Sequence, residues 1–260
     1  MVNNRNLNNY IEDIKDEYID FYEYDVIVLN NKWFCSKRRI KDIAKLETNK
    51  WLSLRRFNGN IALMLVDSIF SLRTNYEDMV KRILIPFYQK FINFKINDFK
   101  NLGINDLLKI NHNHINYQNT SHPFSYINRW KLFKTFVTFF MREFEGKFDK
   151  IHNWAKTLNI KDFLKSKSNY YDFKGFGISG IQYLRMQFGV NTIKPESRIK
   201  NTLKSLNINF KSDYKLINEL ENYAELMNMR FMELGFMLWY AFPLLKSKSI
   251  DFNFQKSFNP

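Results

Sequence analysis

The chain has 260 residues, 45% hydrophobic and 17% aromatic, enough to bury the core of one large domain or two lobes. Its formal charge is +14, which points to a polyanionic partner, nucleic acid ahead of a membrane surface, although AT-rich coding DNA would also enrich Lys, Asn, Ile, Phe and Tyr. The single cysteine, Cys35, excludes an intramolecular disulfide, a four-cysteine zinc site and a cysteine-ligated iron–sulfur cluster.

Taken from the N-terminus, Met1 to Tyr10 is polar and has no apolar signal-peptide core. The stretch "FYEYDVIVLNNKWFC", residues 21–35, carries the chain's strand signal, with Asn30-Asn31 as a hairpin closure. Helical periodicity then takes over. Ile61, Leu65, Ile69 and Leu72 form one stripe, and Val80, Ile83, Leu84, Phe87 and Phe91 another, interrupted at Pro86. The irregular "NHNHINYQNTSHP", residues 111–123, holds His112, His114 and His122. With no cysteine or carboxylate pattern beside them, they read as loop histidines rather than a metal site. Trp130, Phe133, Val137 and Phe140 predict a further helix, as do Phe148, Ile151, Trp154, Ala155 and Leu158.

After a glycine-rich turn come Ile178, Ile181, Leu184 and Phe188, then Ile199, Leu203 and Leu206, then Leu216, Leu220, Tyr223, Ala224 and Met227. Phe231 to Phe242 is apolar nearly all round and reads as a buried helix. The apolar run from Phe231 to Leu245 contains Glu233 and Pro243 and is too short to span a bilayer. The expectation is an all-α, soluble, cytoplasmic monomer with no membrane partner.

Three of only 8 glycines stand together at Gly175, Gly177 and Gly180. Phe173 to Gly177 reads apolar-x-Gly-apolar-Gly and leads into an amphipathic segment. Glycine admits positive φ and close backbone approach, and the free N–H groups of the helix that follows suit a phosphate oxygen. A plain helix–helix connection would also use glycine.

"FKGFGISGIQYLRMQFG" followed by "TIKPESRIKNTLKSL" resembles the helix-hairpin-helix and Gly/Pro-rich-loop module of the base-excision DNA glycosylases, of the endonuclease III kind without its iron–sulfur cluster. "IALMLVDSIFSLRTNY" and "LGFMLWYAF" resemble an early and a late helix of that superfamily. The likeness covers about residues 60–242. It implies an all-α, two-lobed fold: a helical bundle over 60–189, and a second lobe from 1–59 plus 190–260. It implies binding of double-stranded DNA that carries a damaged or modified base, flipped out of the stack to be reached. The hairpin backbone at Gly175, Gly177, Ile178, Ser179 and Gly180 would meet the DNA, often with a monovalent cation, potassium or sodium, on its carbonyls. No other cofactor or metal is expected.

Where lyase-active members carry a Schiff-base lysine this chain has Ser179, which favours a monofunctional enzyme using water. Where the superfamily has a catalytic aspartate it has Glu196, a carboxylate moved by about one methylene. Pro195-Glu196 would equally well simply start a helix. Asp67 matches the carboxylate that protonates the leaving base in the adenine-removing branch, and is otherwise a solvated or capping residue. Arg73 aligns with the residue that fills the gap left by a flipped nucleotide, or is a surface arginine. Lys174, Lys194 and Arg198 flank the hairpin and loop as phosphate contacts. Three functions follow from the resemblance: a monofunctional glycosylase, a DNA-binding module that kept the fold without the chemistry, or an abasic-site lyase acting through Lys174 or Lys194.

Overall fold

The structure is a computed structural model and describes residues 4–23, 34–54, 57, 60–72, 126–165 and 171–256. Among them the chain is mostly helical, with ten helices and one two-stranded sheet. It divides into two compact units, residues 51–190 and residues 1–50 with 191–260. The expected stripe at Val80–Phe91, the histidines 112, 114 and 122, the Asn30-Asn31 closure and Arg73 lie outside the described residues.

Unit 51–190 is built around α3 (Ile61–Phe70), whose residues from Ala62 to Phe70 are all buried. Its sequence is apolar on every face, so it can only be a core helix. The Asn60 side chain caps it, accepting from the Leu63 N–H at 3.1 Å. Ser68 donates its hydroxyl to the Met64 carbonyl at 2.7 Å, which satisfies a polar group fully inside. Against it pack α4 (Tyr126–Phe144) and α7 (Ile178–Gln187), and α7 in turn carries α5 (Phe148–Thr157) and α6 (Ile160–Lys165).

Their shared core is aromatic. Phe136 meets Phe173 at 4.5 Å and Phe176 at 4.7 Å between ring centroids, and Phe140 meets Trp154 and Phe188. Tilted and edge-on rings of this kind add about 0.5–1.5 kcal/mol per pair beyond their buried area. The buried Arg129 guanidinium donates to the carbonyls of Phe70 and Leu72 and so closes the C-terminal end of α3.

The other unit holds α1 (Asn4–Lys15), the antiparallel pair β1 (Tyr18–Glu23) and β2 (Phe34–Arg39), most of α2 (Ile40–Leu52), α8 (Ser197–Ser205), α9 (Asp213–Leu226) and α10 (Phe231–Lys256). The strands pair from Tyr18↔Arg39 to Glu23↔Phe34, so they take in both ends of the 21–35 stretch and extend beyond it on either side. Phe21 turns inward against Tyr240, while Tyr18 stays exposed, the alternation a one-sided sheet demands. Helix α10 continues through Pro243, beyond the apolar run that predicted it. It is half-exposed at Phe236, Trp239 and Tyr240 rather than buried all round. None of the described helices is long and apolar enough to cross a membrane.

Helices α7, α8 and α9 end alike. Gly189, Asn207 and Asn228 take φ of +75°, +59° and +48° after the last turn. In each case the next N–H reaches back to a carbonyl of that turn: Val190 to Arg185, Ile208 to Leu203 and Met229 to Ala224. This is the left-handed helix stop for which glycine and asparagine are the favoured residues.

Candidate functional site

The three glycines of the hairpin have three different reasons to be there. Phe176 donates its N–H to the Phe173 carbonyl at 3.0 Å, closing a turn in which Gly175 has φ +87°. Glycine is the residue that adopts this conformation without strain. Asp172, which the sequence reading passed over, accepts the Lys174 N–H at 2.9 Å and braces the same turn. Its signal was legible: an aspartate two residues before the bonded N–H. Gly180 is buried under the Phe176 ring, where a Cβ would come within 2.9 Å of the ring carbons.

Gly177 is unlike both. It is exposed, its φ is −87°, and a Cβ there would meet nothing within 4 Å. Of the two freedoms glycine offers, positive φ is thus used at Gly175 and not at Gly177. Nothing within the fold demands a glycine at 177.

Gly177 is also the N-cap of α7, and no side chain caps that end. The first turn of α7, which includes Ile178 and Ser179, carries the positive end of the helix dipole. Ile178 and Ser179 are half-buried, and Lys174, beside them, is exposed. The hairpin is anchored below by the Phe136, Phe173 and Phe176 rings, and beyond by the close of α7 at Phe188, whose carbonyl lies 2.5 Å from His152 Nδ1.

Asp67 is fully buried. Its Oδ2 accepts the Tyr183 hydroxyl at 2.9 Å and an N–H of the Gln187 amide, so it ties α3 to α7 within the same unit. A carboxylate taken out of water needs such donors. The sequence placed Asp67 on an early helix but carried no signal of Tyr183 and Gln187, which stand more than a hundred positions away.

In the other unit, the loop from Asn191 to Glu196 lies along α10. The Asn191 side chain accepts the Met232 N–H at 2.9 Å at the start of that helix. A Cβ on Gly235 would come within 2.7 Å of Ile193 Cγ1, so the loop and helix approach as closely as glycine allows. Thr202 donates to the Leu238 carbonyl at 3.2 Å and holds α8 to the same helix.

Glu196 is the N-cap of α8 but makes no side-chain capping bond. Its Oε2 instead lies 3.2 Å from Lys194 Nζ, with both side chains half-buried. Arg198 lies over the Trp239 ring, its guanidinium carbon 4.1 Å from the centroid. Among the described residues no group of three or more His, Cys, Asp or Glu side chains converges as a metal ligand set. No family model, curated protein or solved structure matches the chain.

Proposed function

We propose that the chain binds double-stranded DNA through its glycine hairpin and hydrolyses the N-glycosidic bond of a damaged or modified base, as a monofunctional glycosylase. The observation that carries this reading is Gly177. It is a helix N-cap with no capping side chain, exposed, and glycine without any internal requirement for glycine. A residue kept small where the fold has room for more suits a site that something outside approaches closely. The positive end of the helix dipole and the exposed Lys174 make a phosphate the fitting occupant. Lys174, Gly175 and Gly177 are exposed, which leaves room for a monovalent cation on the turn's carbonyls as part of the same proposal.

In this reading Glu196 carries the chemistry. Breaking an N-glycosidic bond builds positive charge on the sugar, and a fixed carboxylate stabilises it and orients the attacking water. Glu196 suits the role because its carboxylate is not engaged in capping α8, while Lys194 restrains its position. Asp67 is sealed in the core, so its part in the proposal is to hold the hairpin helix rather than to touch a substrate. The Lys194 contact favours a second reading, a DNA-binding module without catalysis, since the same ion pair partly neutralises the carboxylate.

The test is a panel of duplexes, each bearing one lesion, assayed for alkali-labile sites and trapped with borohydride. Base release without a covalent adduct is the expected result. An adduct on an abasic duplex means imine chemistry through a lysine instead. Tight duplex binding without base release on any lesion would leave the module.

A further inference from the structure

Arg198 stands at the second position of α8, where the positive end of the helix dipole disfavours a cation. The two lysines near it in sequence both have carboxylate partners: Lys194 with Glu196, and Lys200 with Asp213 at 2.6 Å. The Arg198 side chain makes no ion pair or hydrogen bond among the described residues. What it has is the Trp239 ring, 4.1 Å from its guanidinium carbon, with Tyr240 edge-on to Trp239 at 4.8 Å between centroids. Both Arg198 and Trp239 are half-buried.

A stacked guanidinium keeps its five N–H donors around its edge, in the planar fork that matches a phosphate bidentately. Partial burial without an acceptor has a cost that an anion relieves. Stacking also removes most of the rotamer freedom that a long side chain otherwise loses on binding.

We infer that Trp239 is a positioning residue: it holds the Arg198 guanidinium as a preformed clamp for a backbone phosphate of bound DNA, two residues from Glu196. The inference rests on the DNA-binding reading above. It assigns to α10 a part in recognition that none of its residues held in the sequence.

The experiment is a titration of the full chain with fluorescently labelled duplex DNA at several salt concentrations, for wild type, Arg198→Met, Trp239→Leu, Trp239→Tyr and the Arg198→Met/Trp239→Leu pair. Circular dichroism checks that each variant folds. Arg198→Met and Trp239→Leu should each weaken binding on the order of fivefold. Each should also lower the slope of log K against log salt by roughly one. The double variant should be no weaker than Arg198→Met alone. Trp239→Tyr, which keeps a ring face, should bind nearly as wild type does.

A Trp239→Leu protein with the wild-type slope, or additive losses in the double variant, overturns the inference while the DNA-binding reading stands. No duplex binding by the wild type at low salt overturns both. Should Trp239→Leu not fold, Arg198→Lys decides. It keeps the charge and loses the planar fork, so binding equal to wild type overturns the clamp and weakened binding supports it.

Discussion

The two units differ most in charge. Residues 51–190, which carry the glycine hairpin, hold 21 Lys and Arg against 10 Asp and Glu, a surplus of 11. Residues 1–50 and 191–260, which carry Glu196, hold 19 against 16, a surplus of 3. The basic character of the chain is thus mainly a property of one unit, the one that carries the glycine hairpin. Attraction to a polyanion grows with the number of phosphates neutralised and needs no base contact. On the proposed reading, binding and chemistry are divided between the units, and substitutions in each should separate the two.

The largest separation is expected at Glu196. Glu196→Gln keeps the shape and deletes the charge, so base release should fall by on the order of 100-fold or more while duplex affinity holds or rises. Glu196→Asp shortens the side chain by one methylene and should retain activity. Single-turnover release measured beside duplex titration reads both quantities. Release unchanged in both variants, on a lesion the wild type processes, would remove Glu196 from the mechanism.

The converse is expected at Gly177. Aspartate is a favoured N-cap and accepts a φ of −87°, so Gly177→Asp should leave thermal stability unchanged or raise it slightly. It should still lose duplex binding by at least on the order of tenfold, because it places a negative charge where phosphate docks. Gly180→Ala, three residues along the chain, is the contrasting variant. Its Cβ would press into the buried Phe176 ring, so about 1–3 kcal/mol of stability should go, read by denaturant unfolding. If Gly177→Asp unfolds the protein and Gly180→Ala does not, the roles assigned to the two glycines are reversed.

A smaller effect is expected at Gly235. Alanine gains about 1 kcal/mol of helix propensity there but pushes on Ile193 in the loop that carries Glu196. Gly235→Ala should slow base release several-fold with little change in stability or duplex affinity. An unchanged rate would show that the loop yields without moving Glu196.

The smallest effect belongs to the more basic unit. Glu145, after α4, is gripped by Lys147 and Lys150, and their hydrogen bonds and charges hold its carboxyl down to about 2, from a usual value of 4.5. A carboxyl depressed in the folded state adds stability above its unfolded value and loses it as pH falls through the folded one. The Glu145 contribution should therefore be complete above about pH 5 and fade toward pH 2. All three charges are exposed, so salt should shrink the effect. Thermal melts of wild type and Glu145→Gln should converge as pH is lowered through that window. A gap that widens instead would reverse the sign.

Local pattern alone made α3, α4, α5, α7, α8 and α9 legible, because each buries one stripe or, for α3, every face. It was less informative where apolar residues are few. Leu7, Ile11 and Ile14 are buried along α1, but they sit among asparagines and acids that made the N-terminus read as merely polar. The strands also take in Tyr18–Asp20 and Ser36–Arg39, outside the 21–35 stretch, since pairing register is settled by partners across the ladder rather than by one strand's composition.

For the site, the sequence by itself determined the glycine spacing, the absence of a lysine at Ser179 and a carboxylate at Glu196 opening a helix. Which glycine the fold requires was decided only by tertiary structure, through the Phe176 ring over Gly180 and the open space at Gly177. So were the burial of Asp67 against Tyr183 and Gln187, and the stacking of Arg198 on Trp239. The physical reason is the same throughout. Backbone periodicity is a local property, written in residues three and four apart. A side chain's partner depends on which distant helix packs against it, and that is set by the core as a whole.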